Sequence, residues 1–220
     1  ENRLFGADEE EKTGSGSQID FLDQVAEGTP APGGGSAAAH TAALGVALAL
    51  MVARLTVGKS KYASAEAECW QLIEEGEALR KRLTEAIQHD AEAFDGILVA
   101  RRMPKADDAQ IAARAAAIRK ASLFAATVPL ETARDCMKVL TMTVRMAEIG
   151  NINCISDAAA GAHHAKAGFE SARLNVKINL LGYEEDPEAQ LLLTEVEALR
   201  DEVAGLMQSL GLILKERAGL

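Results

Sequence analysis

Residues 42–53, AALGVALALMVA, form an apolar run bounded by Thr41 and Arg54. The run is short for a membrane span. A helix that is apolar on all sides must be covered by protein, in the chain's own core or between subunits. Alanine is abundant and aromatics make up only 4% of the chain. That mix suits closely packed helices and poorly suits a β-sandwich. With 220 residues, 48% of them hydrophobic, the chain has enough material for one well-buried core or two small ones. Strand-like alternation of useful length is missing, so the expected class is all-α, a multi-helix bundle with long antiparallel helices.

Helices are predicted over roughly 19–27, 36–57, 63–101, 107–126 and 187–216. Met103-Pro104 ends the third, because the residue before a proline is pushed away from α geometry. Pro129 is expected to kink or break the next pattern before helix resumes to about 148. GNINCISD, residues 150–157, reads as a loop in which Gly150 ends one helix and Ser156 or Asp157 caps another that runs to about 181. The last helix carries Leu192, Val196, Leu199, Val203, Leu206, Leu210 and Ile213. These spacings alternate four and three, the period of a packing seam in a core or between subunits. Residues 6–18, GADEEEKTGSGSQ, are acidic and Gly/Ser-rich. Residues 1–18 are therefore read as a flexible tail or interdomain linker and 19–220 as the folded domain. The first residue is Glu1 rather than Met, so a processed, truncated or fused start is expected.

The net charge is −10, which argues against nucleic acid or an anionic membrane as partner. Cys69, Cys136 and Cys154 are far apart and odd in number, with no CxxC pair. This usage points to packed thiols in a reducing, cytoplasmic setting.

The apolar helix is entered through PAPGGGSAAA, residues 30–39. Pro30 and Pro32 stop regular structure, and Gly33, Gly34 and Gly35 open backbone angles closed to other residues. Ser36 is a favoured N-cap. A glycine loop at a helix N-terminus is either a tight turn or a cradle of N–H groups for an anion, an oxyanion or an electron-rich ring edge. The nucleotide motifs do not fit, because no Lys-Ser/Thr follows the glycines and G-x-G-x-x-G is missing.

Polar residues in apolar positions are the other signal. The packing stripe of the long helix runs Leu72, Leu79, Leu83, Ile87, Asp90, Phe94, Ile97. A carboxylate there is costly unless it is bonded or neutralised. Asp90 is thus either a structural carboxylate or one whose raised pKa suits proton transfer. Asn175 and Asn179 lie one turn apart on one face, as a structural pair or as the amides of a cleft. Asn151, Ser156 and Asp157 serve as caps or as donors and acceptors to a heterocycle. Lys59, Lys61, Lys105, Arg101 and Arg102 are basic spots on an acidic chain, suited to solvent or to a flexible polyanionic tail. His40 is expected in the core and His89 in solvent. The adjacent His163 and His164 diverge and make no metal pair, so no metal site is expected.

Six segments in order, FLDQVAEGTPAPGGGSAAAHTAALGVALALMVARLTVGKSKY, HDAEAFDG, MPKADD, TVPLETA, GNINCISDAAAGA and LNVKINL, resemble the formimidoyltetrahydrofolate cyclodeaminase family. That family includes the cyclodeaminase half of formimidoyltransferase–cyclodeaminase and related methenyltetrahydrofolate cyclohydrolases. The resemblance implies an all-helical, dimeric enzyme of one-carbon metabolism. Its expected reaction is cyclisation of 5-formimidoyltetrahydrofolate to 5,10-methenyltetrahydrofolate with loss of ammonia; the alternative is hydrolysis of the methenyl compound. No permanently bound cofactor is implied, only a folate substrate, possible fusion to or partnership with a formimidoyltransferase, and a polyglutamate tail for Lys59, Lys61 and Lys105. The family's proposed catalytic aspartate falls on Asp90, with Asp157 as second carboxylate. Its glycine loop falls on Gly33 to Ser36, and Asn151, Ser156, Asn175 and Asn179 join the expected substrate contacts.

Overall fold

The fold comes from a computed structural model that describes residues 16–220. Its α-helices are α1 (Gly16–Ala26), α2 (Gly34–Arg54), α3 (Glu66–Arg101), α4 (Asp108–Ile149), α5 (Ile155–Asn179) and α6 (Pro187–Ala218). Two short 3-10 segments, Ser60–Ala65 and Ile152–Cys154, complete the described residues, and no strand occurs among them. The expected all-α class therefore stands. The predicted tail lies outside the described residues except for 16–18, which begin α1.

Helix α2 is the centre, packed by α3, α4 and α5. It has the length and apolarity of a membrane-crossing helix, but most of its apolar window is buried inside the bundle. Its small residues let it approach α5 at backbone distance. A Cβ on Gly45 would come within 2.8 Å of the Gly161 carbonyl, and one on Gly161 within 2.9 Å of the Gly45 carbonyl. Farther along, a Cβ on Gly168 would lie 2.9 Å from the Ala38 carbonyl. Ala38, Ala42 and Ala165 fill the rest of this seam and are buried. At the far end, the Asn151 N–H donates to Thr56 Oγ1 at 2.9 Å and the Asn151 side-chain amide to the Leu55 carbonyl at 3.2 Å. The Ile152 N–H donates to the Tyr62 hydroxyl at 3.0 Å. These bonds close the C-terminal end of α2.

The α6 seam is core: Val196, Val203 and Leu210 are buried, and Leu192, Leu199, Leu206 and Ile213 pack against the same cluster. Asp186 caps α6, accepting from the Glu188 and Ala189 N–H groups at 2.9 and 3.4 Å, with Pro187 in the first turn. Asp107 caps α4 by accepting from the Gln110 N–H at 2.8 Å.

Three local expectations are corrected. Pro129 does not break α4, which runs through it as one 42-residue helix with Pro129 buried. Packing on both sides overrides the local penalty, and the carbonyl that Pro129 leaves without a helical donor, that of Ala125, accepts from Asn179 Nδ2 at 2.7 Å. Ser36 is not the N-cap of α2. The helix starts two residues earlier with Gly33 as cap, and the Ser36 hydroxyl is used elsewhere. Ser156 and Asp157 do not cap α5 either, because Cys154 holds that position and they fall inside the first turn. There the Asp157 charge still complements the helix dipole.

Replacing Gly161 by Val pushes a branched side chain into the Gly45 carbonyl. The expected loss is about 1–3 kcal/mol of unfolding free energy by urea denaturation; a loss below about 0.5 kcal/mol would show that the two helices have room to separate.

Candidate functional site

Helix α3 turns one stripe, Asp90, Phe94, Ile97 and Arg101, toward a cleft of about 590 Å³. Spacings of four, three and four keep these residues on one face. The opposite walls are the glycine loop with Gly33 and Gly34, Ser122 and Ala125 of α4, Asn175 and Asn179 of α5, and the turn Leu181–Tyr183. That turn pivots at Gly182, whose φ of 87° is a conformation open to glycine and costly for other residues.

Asp90 meets the first turn of α2. The Ser36 hydroxyl lies 3.0 Å from Asp90 Oδ2 and 3.0 Å from the Ile87 carbonyl, so its single proton serves one of them at a time. The contact is possible because residue 35 is glycine: a Cβ there would stand 2.0 Å from Asp90 Oδ1 and 2.5 Å from its Cγ. A Cβ on Gly34 would similarly lie 3.1 Å from Asn175 Nδ2. None of Gly33, Gly34 and Gly35 has a positive φ. The triplet is therefore explained by close approach rather than by unusual backbone angles, which corrects the sequence-based reason for it.

Burial is the largest influence on Asp90 and pushes its carboxyl above the ordinary range; the Ser36 hydroxyl and N–H pull the other way without cancelling it. A partly desolvated carboxylate is a stronger base than one in water. Phe94, Ile97, Ile118, Ile178 and Leu181 supply apolar surface around it, and Arg101 stands as a cation at the rim.

The predicted site residues divide into two groups. Gly33, Gly34, Gly35, Ser36, Asp90, Asn175 and Asn179 gather around this cleft. Asn151, Ser156, Asp157, Lys59 and Lys61 do not: they lie toward the other end of α2, roughly 20–30 Å away along a 21-residue helix. The Asn151 N–H and both side-chain groups are engaged by Thr56, Leu55 and Asn153. Within one subunit Asp157 and Asn151 cannot share a substrate with Asp90, and the expected link between the glycine loop and 150–157 is corrected. Lys105 sits just past Arg101, exposed and outside the lining residues. His40 is half-buried and stacks on Phe21 at 4.6 Å between ring centroids, while His89 is exposed. Phe94 and Ile97 were read from the sequence as packing residues only. Ser122, Ile178, Leu181 and Tyr183 carried no signal of a role, since α4 and the 181–183 turn meet α3 only through the tertiary fold.

Comparison with known proteins fits this architecture. A family model described as Formiminotransferase-cyclodeaminase matches residues 17–198. The methenyltetrahydrofolate cyclohydrolase of Methylorubrum extorquens is 45% identical over 186 residues, 84% of this chain and 89% of that protein. The formimidoyltransferase-cyclodeaminase of Mus musculus is 34% identical over 166 residues, 76% of this chain but 31% of that longer protein. A crystal structure of formiminotetrahydrofolate cyclodeaminase from Thermotoga maritima shares the fold with a TM-score of 0.81 at 29% identity, covering 90% of this chain and 95% of that one. The chain belongs to the formiminotransferase-cyclodeaminase family.

Because the raised pKa of Asp90 makes the folded state bind a proton more tightly than the unfolded state, stability falls as pH rises through that folded pKa. Asp90→Asn is therefore expected to melt at or above the wild-type temperature at pH 7. The advantage should shrink as the pH drops below the folded pKa, toward 3.8. A variant that melts well below wild type at pH 7 would mean that the carboxylate stabilises the fold.

Proposed function

We propose that the cleft binds a tetrahydrofolate carrying a one-carbon group between N5 and N10, and that Asp90 is its catalytic carboxylate. The observation that carries this reading is a half-buried carboxylate set against a helix N-terminus, on one wall of a cleft that mixes apolar side chains with the amides of Asn175 and Asn179. The family membership supplies the substrate class.

Of the family's two reactions, hydrolysis of 5,10-methenyltetrahydrofolate to 10-formyltetrahydrofolate is put first. Its support is the 45% identity to the Methylorubrum extorquens cyclohydrolase over nearly the whole of that protein. The methenyl bridge is a delocalised cation, which the Asp90 carboxylate attracts as counter-charge. Asp90 takes a proton from water as its oxygen adds to the methenyl carbon. As the carbon–N5 bond breaks the adduct's hydroxyl proton is lost and N5 takes up a proton, so of the two protons of water one ends on N5 and one is released. The second reading, cyclodeamination of 5-formimidoyltetrahydrofolate, has support from the Thermotoga maritima structure and the Mus musculus relative. There the formimidoyl group enters protonated, N10 attacks its carbon, Asp90 accepts the N10 proton and delivers it to the departing NH2, and ammonia leaves with the positive charge remaining on the methenyl product. One carboxylate serves both, because both pass through a tetrahedral carbon between N5 and N10. Arg101 at the rim suits the substrate's glutamate carboxylates. Lys59 and Lys61 lie too far along α2 to share that role within one subunit.

We also infer a homodimer. Along α2 and its cap, Leu44, Met51 and Leu55 are exposed at spacings of seven and four, an apolar stripe suited to a second copy.

Assays with the methenyl and formimidoyl substrates, following methenyl absorbance and ammonia, distinguish the two reactions. Asp90→Asn should lower kcat about 10²–10⁴-fold on the true substrate, and wild-type kcat should fall as pH drops through the Asp90 pKa. Wild-type turnover by the variant would refute the assignment. Met51→Glu should halve the mass seen in sedimentation equilibrium; an unchanged mass would move the interface off α2.

A further inference from the structure

Pro129 lies deep in α4, away from the reacting carboxylate, yet it governs a group in the cleft. A proline has no N–H, so the carbonyl four residues earlier, that of Ala125, loses its helical donor. Asn179 Nδ2 takes that place, donating to the Ala125 carbonyl at 2.7 Å from the neighbouring helix α5. One turn back, Asn175 Nδ2 donates to the Ser171 carbonyl at 2.8 Å. A carbonyl can only accept, so both amide NH2 groups must face the backbone. Each amide keeps one further N–H and its Oδ1; the bonded N–H fixes where that oxygen points, and no donor among the described residues reaches either oxygen. Both side chains line the cleft. The result is a pair of oriented acceptors one helical turn apart, on side chains whose Cβ atoms are about 6 Å apart, on the wall where Gly34 approaches Asn175.

We propose that Pro129 is a positioning residue that locks Asn179 as an acceptor, and that Asn175 and Asn179 together recognise a ring edge bearing N–H donors. The amino-pyrimidinone edge of a pterin has this pattern, so the proposal rests on the folate reading of the same site. Without Pro129 a helical N–H would return to the Ala125 carbonyl and compete with Asn179. The side-chain amide would then be free to rotate, and the site would lose its fixed acceptor polarity. The bond also explains how α4 passes through a proline without leaving a buried carbonyl unsatisfied.

The test is equilibrium binding of 5-formyltetrahydrofolate and of its 2-desamino-2-methyl analogue, by intrinsic fluorescence, to wild type, Pro129→Ala and Asn179→Leu. Wild type should bind the analogue at least about tenfold more weakly, because removing a donor leaves a fixed acceptor unpaired. Both variants should bring that ratio to within about twofold of unity while keeping their helical circular dichroism. A purely structural proline would move the melting temperature and leave the ratio unchanged. A wild-type ratio in either folded variant overturns the positioning role. Equal wild-type affinity for both ligands overturns the donor-edge recognition while folate binding stands. Wild-type binding of neither ligand overturns this proposal together with the folate reading.

Discussion

The contact on which the rest depends is the backbone-to-backbone seam between α2 and α5. Gly45 faces Gly161, and Ala38 faces Gly168, at separations that leave no room for a Cβ at either glycine. Apolar burial pulls the two helices together, and the lack of side-chain bulk lets dispersion contacts form between main chains. The cleft is set by this seam. With α5 held so close, Gly34 comes against Asn175, and the free N-terminus of α2 is aimed at α3, where Asp90 waits. A looser crossing would leave the same residues in the chain without bringing them to one place.

Asp90 illustrates how a fold can hold a carboxylate between two influences. Burial disfavours its charge, while the hydroxyl and N–H of Ser36 favour it. Burial outweighs the Ser36 donors, which makes the carboxylate a stronger base than an exposed aspartate. In the reactions proposed above, that base would serve a cationic methenyl substrate and a proton transfer to a leaving nitrogen alike.

Much of this was legible in the chain, for identifiable reasons. The helix period, the alanine content and the seam of α6 carried the fold class, because helical periodicity is a local property. Asp90 stood out because a charge interrupted an apolar stripe. Asn175 and Asn179 were visible as a same-face pair. The glycine triplet was noticed for the wrong property: its torsions are ordinary, and the need for glycine comes from Asp90 and Asn175, contributed by residues more than fifty positions away. Pro129 misled for a related reason, since the donor that compensates it lies fifty positions on, at Asn179. The 150–157 segment resembles a ligand loop in composition, but its amides close the end of α2, which only the tertiary arrangement reveals.

The narrowness of the cleft at Gly34 and Gly35 has a consequence for how such a site can change. Its tightest points are made of main chain meeting Asp90 and Asn175. Replacement at either glycine cannot widen them, because any larger group there only obstructs. The adjustable surface is the apolar wall of Phe94, Ile118, Ile178 and Leu181. A change of ligand preference would therefore leave the glycines and the carboxylate alone and work on that wall.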